Sequence, residues 1–209
     1  MQAYIGLYLH GFLSSGNSEK GQWLKATVKQ QNFDEDNPAF NELFTPTYPI
    51  NSPKASVHEI ESVLKKMLDD QNKKIVLLGS SMGGYYAQYL GQKYQLPYIM
   101  INPALNPIPI FNENLGCHTN PATQEGFCID LAYIKELQTY DVVQLNKDVP
   151  ALLLIDTDDE VIDVSFALKR YKADSSDCHF ITVKYSGGDH RFTHMQQAWL
   201  EINKFLNAL

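Results

Sequence analysis

The chain has 209 residues, which at about 100–200 residues per domain predicts a single domain over residues 1–209. Hydrophobic residues make up 44% and charged residues 20% of the sequence, which excludes disorder, collagen and a coiled coil as descriptions of the whole chain. The 17 basic and 24 acidic residues give a net charge of −7, which argues against nucleic acid or an anionic membrane as a partner and favours a small molecule.

Short apolar runs alternate with stretches of helical periodicity, which predicts an α/β fold: a mostly parallel central sheet with helices on both faces. The predicted strands are Ala3–Leu9, Glu42–Pro46, Lys74–Gly79, Pro97–Ile101, Pro150–Asp156 and Cys178–Lys184. The predicted helices are Lys20–Gln31, a helix that begins after the cap Ser52 with Pro53, Tyr85–Gln95, Asp130–Gln138, Asp163–Ala173 and Phe192–Leu206.

One segment, Pro103–Glu125, shows neither period, because proline, asparagine, glycine and threonine cluster there. It predicts a loop or a small lid inserted in the domain, with a fairly open cleft beneath it. Phe111, Leu115 and Phe127 are available to line that cleft, or equally to pack the loop itself.

The cysteines and the amino-terminal stretch indicate in which cellular compartment the protein is expected. Cys117, Cys128 and Cys178 show no close repeated spacing, which predicts three free thiols and a reducing compartment. The first apolar stretch has no basic flank before it and no small-residue cleavage site after it, so it is predicted to be a strand and not a signal peptide. We therefore expect a cytoplasmic location without a membrane span.

The strongest local motif is Gly79-Ser80-Ser81-Met82-Gly83, which joins a buried strand to a helix. This is G-x-S-x-G in the strand–turn–helix setting of a nucleophile elbow, where the turn is so sharp that the residues two before and two after the serine must be small. Gly79 and Gly83 meet that need for Ser81 and not for Ser80. The motif predicts Ser81 as a nucleophile, and a tight glycine turn without chemistry is the alternative.

A serine hydroxyl is a weak nucleophile, so this interpretation requires a base and an orienting acid later in the chain. His190 lies in a glycine-containing loop after the last predicted strand and is the preferred base. Acidic residues crowd after the preceding strand, and spacing alone does not choose among them; they are Asp156, Asp158, Asp159, Glu160 and Asp163.

Metal sites are weaker alternatives. His194 follows His190 by four residues and could share a helical face with it, but neither begins an H-E-x-x-H arrangement. Cys117, His118 and Cys128 lack paired C-x-x-C spacing. We therefore predict no metal ligand and no cofactor.

The third element is His10-Gly11-Phe12, which follows the first strand. The backbone N–H of Phe12, together with that of Met82 after the nucleophile, would form a two-donor oxyanion hole. His10 is expected to hold this loop through hydrogen bonds and not to transfer protons.

Together these motifs resemble the α/β-hydrolases, and more narrowly the small bacterial esterases of the YqiA/YcfP type. The resemblance is carried by YLHGFLSSGNSEKG, LLGSSMGGYYAQYL, INPAL, LLLIDTDDEVID and YSGGDHRF, which span nearly the whole chain. It implies Ser81 as nucleophile, His190 as base and, through Asp-Glu-Val, Asp159 as acid. The family usually has glycine where this chain has Asp158, so Asp158 and Asp163 remain alternatives.

The resemblance implies a carboxylesterase that cleaves short to medium acyl esters through an acyl-enzyme. Its partner would be a small acyl ester or thioester. An acyl thioesterase or a peptidase with the same triad is the first alternative, and a non-catalytic binding protein with this fold is the second.

Overall fold

The computed structural model describes residues 3–34, 38–172 and 179–209. Its strands are β1 (Tyr4–Leu9), β2 (Phe40–Phe44), β3 (Lys74–Ser80), β4 (Tyr98–Ile101), β5 (Gly116–Thr119), β6 (Gly126–Ile129), β7 (Ala151–Asp156) and β8 (Phe180–Tyr185). Its helices are α1 (Glu19–Asp34), α2 (Pro53–Leu68), α3 (Met82–Tyr94), α4 (Pro107–Asn112), α5 (Leu131–Gln138), α6 (Val164–Arg170) and α7 (Met195–Asn207).

The central sheet has six strands in the order β2-β1-β3-β4-β7-β8, and every neighbouring pair in it is parallel. Its central strands are near-continuous apolar runs because both of their faces are buried. Side chains of α1 and α7 cover one face, and side chains of α2, α3, α5 and α6 cover the other. The carboxyl ends of β1, β3 and β7 meet at one edge of the sheet, which is where ligands bind in open parallel sheets.

The predicted strands and helices all occur, with ends shifted by a few residues. The α2 helix begins as the sequence predicts, since the Ser52 side chain accepts a hydrogen bond from the Ala55 N–H and Pro53 occupies the first turn. The predicted end of one helix at Ala173 and the predicted start of a strand at Cys178 lie outside the described residues.

The last helix begins later than predicted. Phe192 has a φ of 61°, in the left-handed region that interrupts a right-handed helix, and α7 starts only at Met195. His190 and His194 therefore lie in the loop before α7 and not on one helical face.

The segment Pro103–Glu125 contains more regular structure than predicted. It holds the short helix α4 and the strand β5, which pairs with β6 in an antiparallel hairpin. We call α4 and this hairpin the lid. Four-residue strands are too short to give a readable period.

The prediction of three free thiols is wrong for the hairpin. Cys117 and Cys128 lie opposite each other on β5 and β6, with their Cα atoms 3.9 Å apart, and form a disulfide. Strand register brings them together, and their separation of 11 residues does not reveal it. This pairing removes the cysteine argument for a reducing compartment. Cys178 lies outside the described residues.

Over the described ranges, none of the helices combines the length and the hydrophobicity that a membrane crossing requires.

Candidate active site

Ser81 occupies the tight turn between β3 and α3. Its φ of 55° and ψ of −121° lie outside the regions that L-residues normally adopt, as a nucleophile elbow requires. A Cβ atom on Gly79 would lie 2.0 Å from the Gly83 carbonyl oxygen, and one on Gly83 would lie 2.0 Å from the Leu9 carbonyl oxygen. Both glycines are therefore required by the close approach of backbone to backbone.

His190 contacts Ser81 on one side and Asp159 on the other. Its Nε2 lies 3.0 Å from Ser81 Oγ, and its Nδ1 lies 2.8 Å from Asp159 Oδ2. A carboxylate can only accept, so Nδ1 carries the proton and Nε2 is left to accept from the serine hydroxyl. The three predicted residues thus form one hydrogen-bonded chain in the order nucleophile, base and acid.

Asp159 is only 8% exposed. Its Oδ1 accepts hydrogen bonds from the N–H groups of Val161 at 2.9 Å and Ile162 at 3.1 Å. Burial by itself raises the pKa of Asp159, but the hydrogen bonds from His190 and from these N–H groups outweigh it and lower the pKa below its ordinary value. The carboxylate is therefore charged and held towards His190.

The alternative acids lie elsewhere. Asp158 is exposed and accepts a hydrogen bond from Thr157 Oγ1, and Asp163 caps α6 by accepting from the Phe166 N–H. Glu160 accepts from the His190 backbone N–H at 3.2 Å, and among the candidates Asp159 is the one whose carboxylate contacts the His190 ring.

The loop after β1 places Phe12 beside Ser81. A Cβ atom on the preceding Gly11 would lie 3.8 Å from Ser81 Oγ, so the loop backbone borders the serine. The Phe12 N–H donates to no acceptor among the described residues. Met82 is the first residue of α3, so its N–H has no acceptor within the helix. Both residues predicted to supply the oxyanion hole thus lie beside Ser81.

His10 holds this loop in place. Its Nδ1 donates to the Gly11 carbonyl oxygen at 2.9 Å, and its Nε2 accepts from the Tyr48 N–H at 3.4 Å. The ring stacks on the Tyr48 ring with centroids 3.9 Å apart, and the Tyr48 hydroxyl donates to the His10 carbonyl oxygen. Burial lowers the pKa of His10 to about 4, so the imidazole is neutral at pH 7.

A second Asp–His pair, which sequence reasoning missed, fixes the loop that carries His190. Asp156 is fully buried, and both of its carboxylate oxygens have partners. Its Oδ1 lies 2.7 Å from His194 Nδ1, and its Oδ2 accepts a hydrogen bond from the Thr193 N–H at 2.9 Å. The Asp156 N–H donates to Asn102 Oδ1 at 2.8 Å, and Asn102 Nδ2 donates to the Asp189 carbonyl oxygen at 2.9 Å. The end of β7 thereby clamps the loop on both sides of His190.

The residues of the two alternative metal sites make other contacts in the structure. His190 and His194 each pair with a different carboxylate, and Cys117 and Cys128 are joined to each other. Within the described parts of the chain, no three side chains of the metal-ligating types come together.

An apolar cavity of about 240 Å³ opens beside Ser81, beneath the lid. Phe111 and Ile110 of α4 line it together with Phe12 and Met82. The prediction for Phe111 is confirmed. Phe127, in contrast, is buried and packs edge-on against Phe12, and Leu115 is exposed and does not line the cavity.

Solved structures similar to this chain include hydrolases of the α/β superfamily. One is a monoacylglycerol lipase from Paleococcus ferrophilus, with a TM-score of 0.68 and 12% identity over 99% of this chain and 96% of the lipase. The sheet order, the turn at Ser81 and these superpositions define the α/β-hydrolase fold.

The model of the UPF0227 family, described as an uncharacterised protein family, matches residues 5–207. This chain belongs to that family. A UPF0227 protein of Vibrio parahaemolyticus is 24% identical over 97% of this chain and 99% of its own length. A UPF0227 protein of Shewanella woodyi is 33% identical over 48% of this chain and 51% of its own length, so that match spans about half of each protein.

Proposed function

We propose that this protein is a serine hydrolase that cleaves carboxylic esters of short to medium acyl chains. The observation that carries the proposal is the hydrogen-bonded chain from Ser81 through His190 to Asp159, with Ser81 in the strained turn at the start of α3. The fold that it shares with a lipase supports the assignment to esters.

In the first half-reaction, His190 Nε2 takes the proton of Ser81 as Oγ attacks the acyl carbon. Asp159 keeps His190 in the required tautomer and stabilises the imidazolium that forms. The N–H groups of Phe12 and Met82 stabilise the negative oxygen of the tetrahedral intermediate. His190 then protonates the leaving alcohol, which leaves the acyl group on Ser81.

In the second half-reaction, water attacks the acyl-enzyme. His190 takes a proton from that water, and the collapse of the second tetrahedral intermediate returns a proton to Ser81 and releases the acid. These steps use only side chains and backbone groups of the chain, so we expect full activity in excess chelator.

The size of the apolar cavity supports the chain-length proposal. Its volume of about 240 Å³ lies below the range of roughly 300–1,000 Å³ that is typical of pockets for drug-sized ligands. A steep preference for one long acyl group would contradict this proposal.

The proposed nucleophile is tested with a fluorophosphonate probe, which needs an activated serine and an oxyanion hole but no knowledge of the substrate. We expect one adduct on Ser81 by intact-mass spectrometry and peptide mapping. Ser81→Ala should lose the adduct and lower kcat by roughly 10⁴–10⁶. Ser80→Ala is the matched control, because Ser80 is the adjacent buried hydroxyl, and it should keep the adduct.

A folded wild-type protein that forms no adduct would refute the proposal and favour a binding protein with this fold. The scissile bond is tested by comparing kcat/KM on an ester, a thioester and an amide of the same acid. A larger kcat/KM on the thioester or the amide would replace the esterase assignment with a thioesterase or a peptidase.

We further propose that the partner is a small acyl ester, and that the protein acts in the cytoplasm. The exposed Cys117–Cys128 disulfide gives this location a direct test, since disulfides persist mainly in oxidising compartments. In a reducing cytoplasm we expect this pair to be reduced, so alkylation of thiols in intact cells should label Cys117 and Cys128, and fractionation should recover the protein in the cytosolic fraction. Recovery from an extracytoplasmic fraction would contradict the proposal.

A further inference from the structure

Ser81 borders a second cavity that the proposed function leaves unassigned. It has a volume of about 600 Å³ and lies between the start of α1, the loop after His190 and the start of α7. Phe12, Ser81 and His190 line both this cavity and the apolar one. The reacting groups therefore stand where two chambers of different chemistry meet.

The lining of the second cavity mixes apolar and polar groups, is richer in polar groups than that of the first cavity, and carries both donors and acceptors. Ser14, Ser18 and Gln196 contribute neutral polar groups, and Glu19 and Lys20 contribute charges of opposite sign. We call this cavity the polar chamber. By contrast, the chamber beneath the lid is lined mainly by hydrocarbon and aromatic side chains.

Lys20 places an ammonium group in the polar chamber. Its Nζ donates to the Arg191 carbonyl oxygen at 2.5 Å, and within the described ranges no carboxylate oxygen lies at ion-pair distance from it. Burial lowers the pKa of Lys20, although the carboxylates of Glu19 and Asp189 counteract this. An ammonium with one acceptor retains hydrogens for a ligand.

The charges around the polar chamber argue against an anionic ligand. The lining carries charges of both signs, from Lys20, Arg191 and Glu19, and the nearby carboxylate of Asp189 also acts on Lys20. A hydroxyl group both donates and accepts, so a neutral molecule with several hydroxyl groups matches a lining that offers charges of both signs. Trp23 adds an aromatic surface for the C–H groups between such hydroxyls.

The tetrahedral carbon on Ser81 carries the negative oxygen and two further substituents, the acyl chain and the leaving oxygen with its alcohol part. The acyl chain matches the apolar chamber, which leaves the polar chamber for the alcohol. His190 borders both chambers, so its proton can reach the leaving oxygen there.

We propose that the polar chamber binds the leaving alcohol and that this alcohol is rich in hydroxyl groups, which makes the substrate a polyol or sugar ester of a hydrocarbon acid. This inference rests on the proposed function. The acyl C–O bond breaks as the Ser81 Oγ–acyl bond forms, the alcohol leaves with the proton from His190, and water later releases the acid.

The test compares esters of one acid. We expect kcat/KM for 1-glyceryl hexanoate to exceed that for propyl hexanoate by about tenfold, since each hydrogen bond made only by the glyceryl group contributes severalfold. Hexyl glycerate, in which the two sides are exchanged, should be a poor substrate. Hexanoyl glycerol phosphate tests for an anion site and should not exceed glyceryl hexanoate.

Lys20→Met should reduce the ratio of the glyceryl to the propyl rate by about fivefold or more, through KM, because it removes the ammonium donor. Gln196→Leu removes another polar group of the polar chamber and should also reduce this ratio. Gln196 is exposed on α7, so this variant does not disturb the core. Lys25→Met makes the same change on the exposed face of α1 and should leave the ratio unchanged.

The two proposals fail in different ways. If no ester is hydrolysed and no fluorophosphonate adduct forms, the proposed function fails. If the adduct forms and propyl hexanoate is hydrolysed, but the glyceryl ester has no advantage, the assignment of the polar chamber is overturned. Preference for the reversed ester or for the phosphate ester overturns it as well.

Discussion

Acid should weaken the loop that carries the proposed oxyanion donor, because that loop is held by a buried, neutral imidazole. His10 Nε2 accepts a hydrogen bond from the Tyr48 N–H, and Nδ1 donates to the Gly11 carbonyl oxygen. Protonation would place a second N–H against the Tyr48 N–H and would put a charge in a fully buried position. The folded protein therefore resists protonation of His10.

The size of this effect follows from the pKa of His10, which burial lowers from 6.5 to about 4. Between these values the unfolded chain binds a proton that the folded chain does not, so stability falls as the pH falls. The resulting loss in the free energy of unfolding is about 2 kcal/mol at pH 5 and approaches about 3 kcal/mol at pH 4. Above about pH 7.5 the contribution of His10 no longer changes.

The assay is urea unfolding from pH 7.5 to pH 4.5 of the wild type and of His10→Gln, which cannot titrate at this position. The variant loses stability at every pH because it loses the stacked ring, but its pH dependence should be shallower by about 2 kcal/mol at pH 5. His58→Gln, at an exposed position of α2, controls for the loss of a histidine. Equal pH dependence in the wild type and His10→Gln would refute the reasoning.

Three further predictions concern the frame of the site. Gly83→Ala should destabilise the protein by about 3 kcal/mol in thermal or urea unfolding, because the new Cβ would meet a carbonyl oxygen of β1. Gly126→Ala is the control: its Cβ would meet no atom within 4 Å, so it should destabilise the protein by less than about 0.5 kcal/mol. Asp156→Asn should lower the free energy of unfolding by about 2 kcal/mol and kcat by about tenfold, and unchanged steady-state kinetics would contradict its clamping role. Reduction of Cys117–Cys128 should destabilise the lid by up to about 3 kcal/mol, and peptide mapping without reductant should show the two peptides joined.

The turn that carries Ser81, the proposed nucleophile, could be predicted from the sequence because its main requirement is steric. A sharp turn between a buried strand and a helix needs small residues two positions before and two positions after the serine. The structure gives those positions contacts that exclude any side chain at Gly79 and Gly83. The contact between Gly79 and Gly83 lies within the motif and can be recognised without the rest of the fold, whereas the contact of Gly83 with Leu9 of β1 is visible only in the structure.

The acid could not be chosen from the residues alone, because several carboxylates follow β7 within a few positions. Their environments differ only in the folded chain: Asp156 is fully buried beneath the loop before α7, Asp158 points to solvent, and Asp159 faces His190. The resemblance to known esterases indicates Asp159, because the Asp-Glu-Val pattern of the family aligns with this residue. Spacing along the chain does not provide that alignment.

The sequence predicts a loop or small lid in this region, but its helix and its hairpin could not be predicted, for a related reason. Its strands are four residues long, its composition favours turns, and the contact between Cys117 and Cys128 depends on how β5 and β6 align. Such alignment is set by tertiary contacts, among them the bond from Asn120 Nδ2 to the Ser14 carbonyl oxygen, which ties the hairpin to the loop after β1. Local sequence carries no signal for a bond between segments so far apart.

The two Asp–His pairs show how one short loop can hold both a reactive group and its support. His190 and His194 differ little in sequence context, yet of the two only His190 has its second nitrogen at 3.0 Å from the Ser81 hydroxyl. His194 instead stacks on Tyr185, with centroids 5.0 Å apart, and its carboxylate partner is the last residue of β7. The strand β7 is buried along its whole length and lies between two other strands of the sheet. The contacts of Asp156 with Thr193 and His194 therefore hold the loop before α7 against a rigid part of the sheet. The position of His190 therefore depends on the core of the protein as much as on its own bond to Asp159.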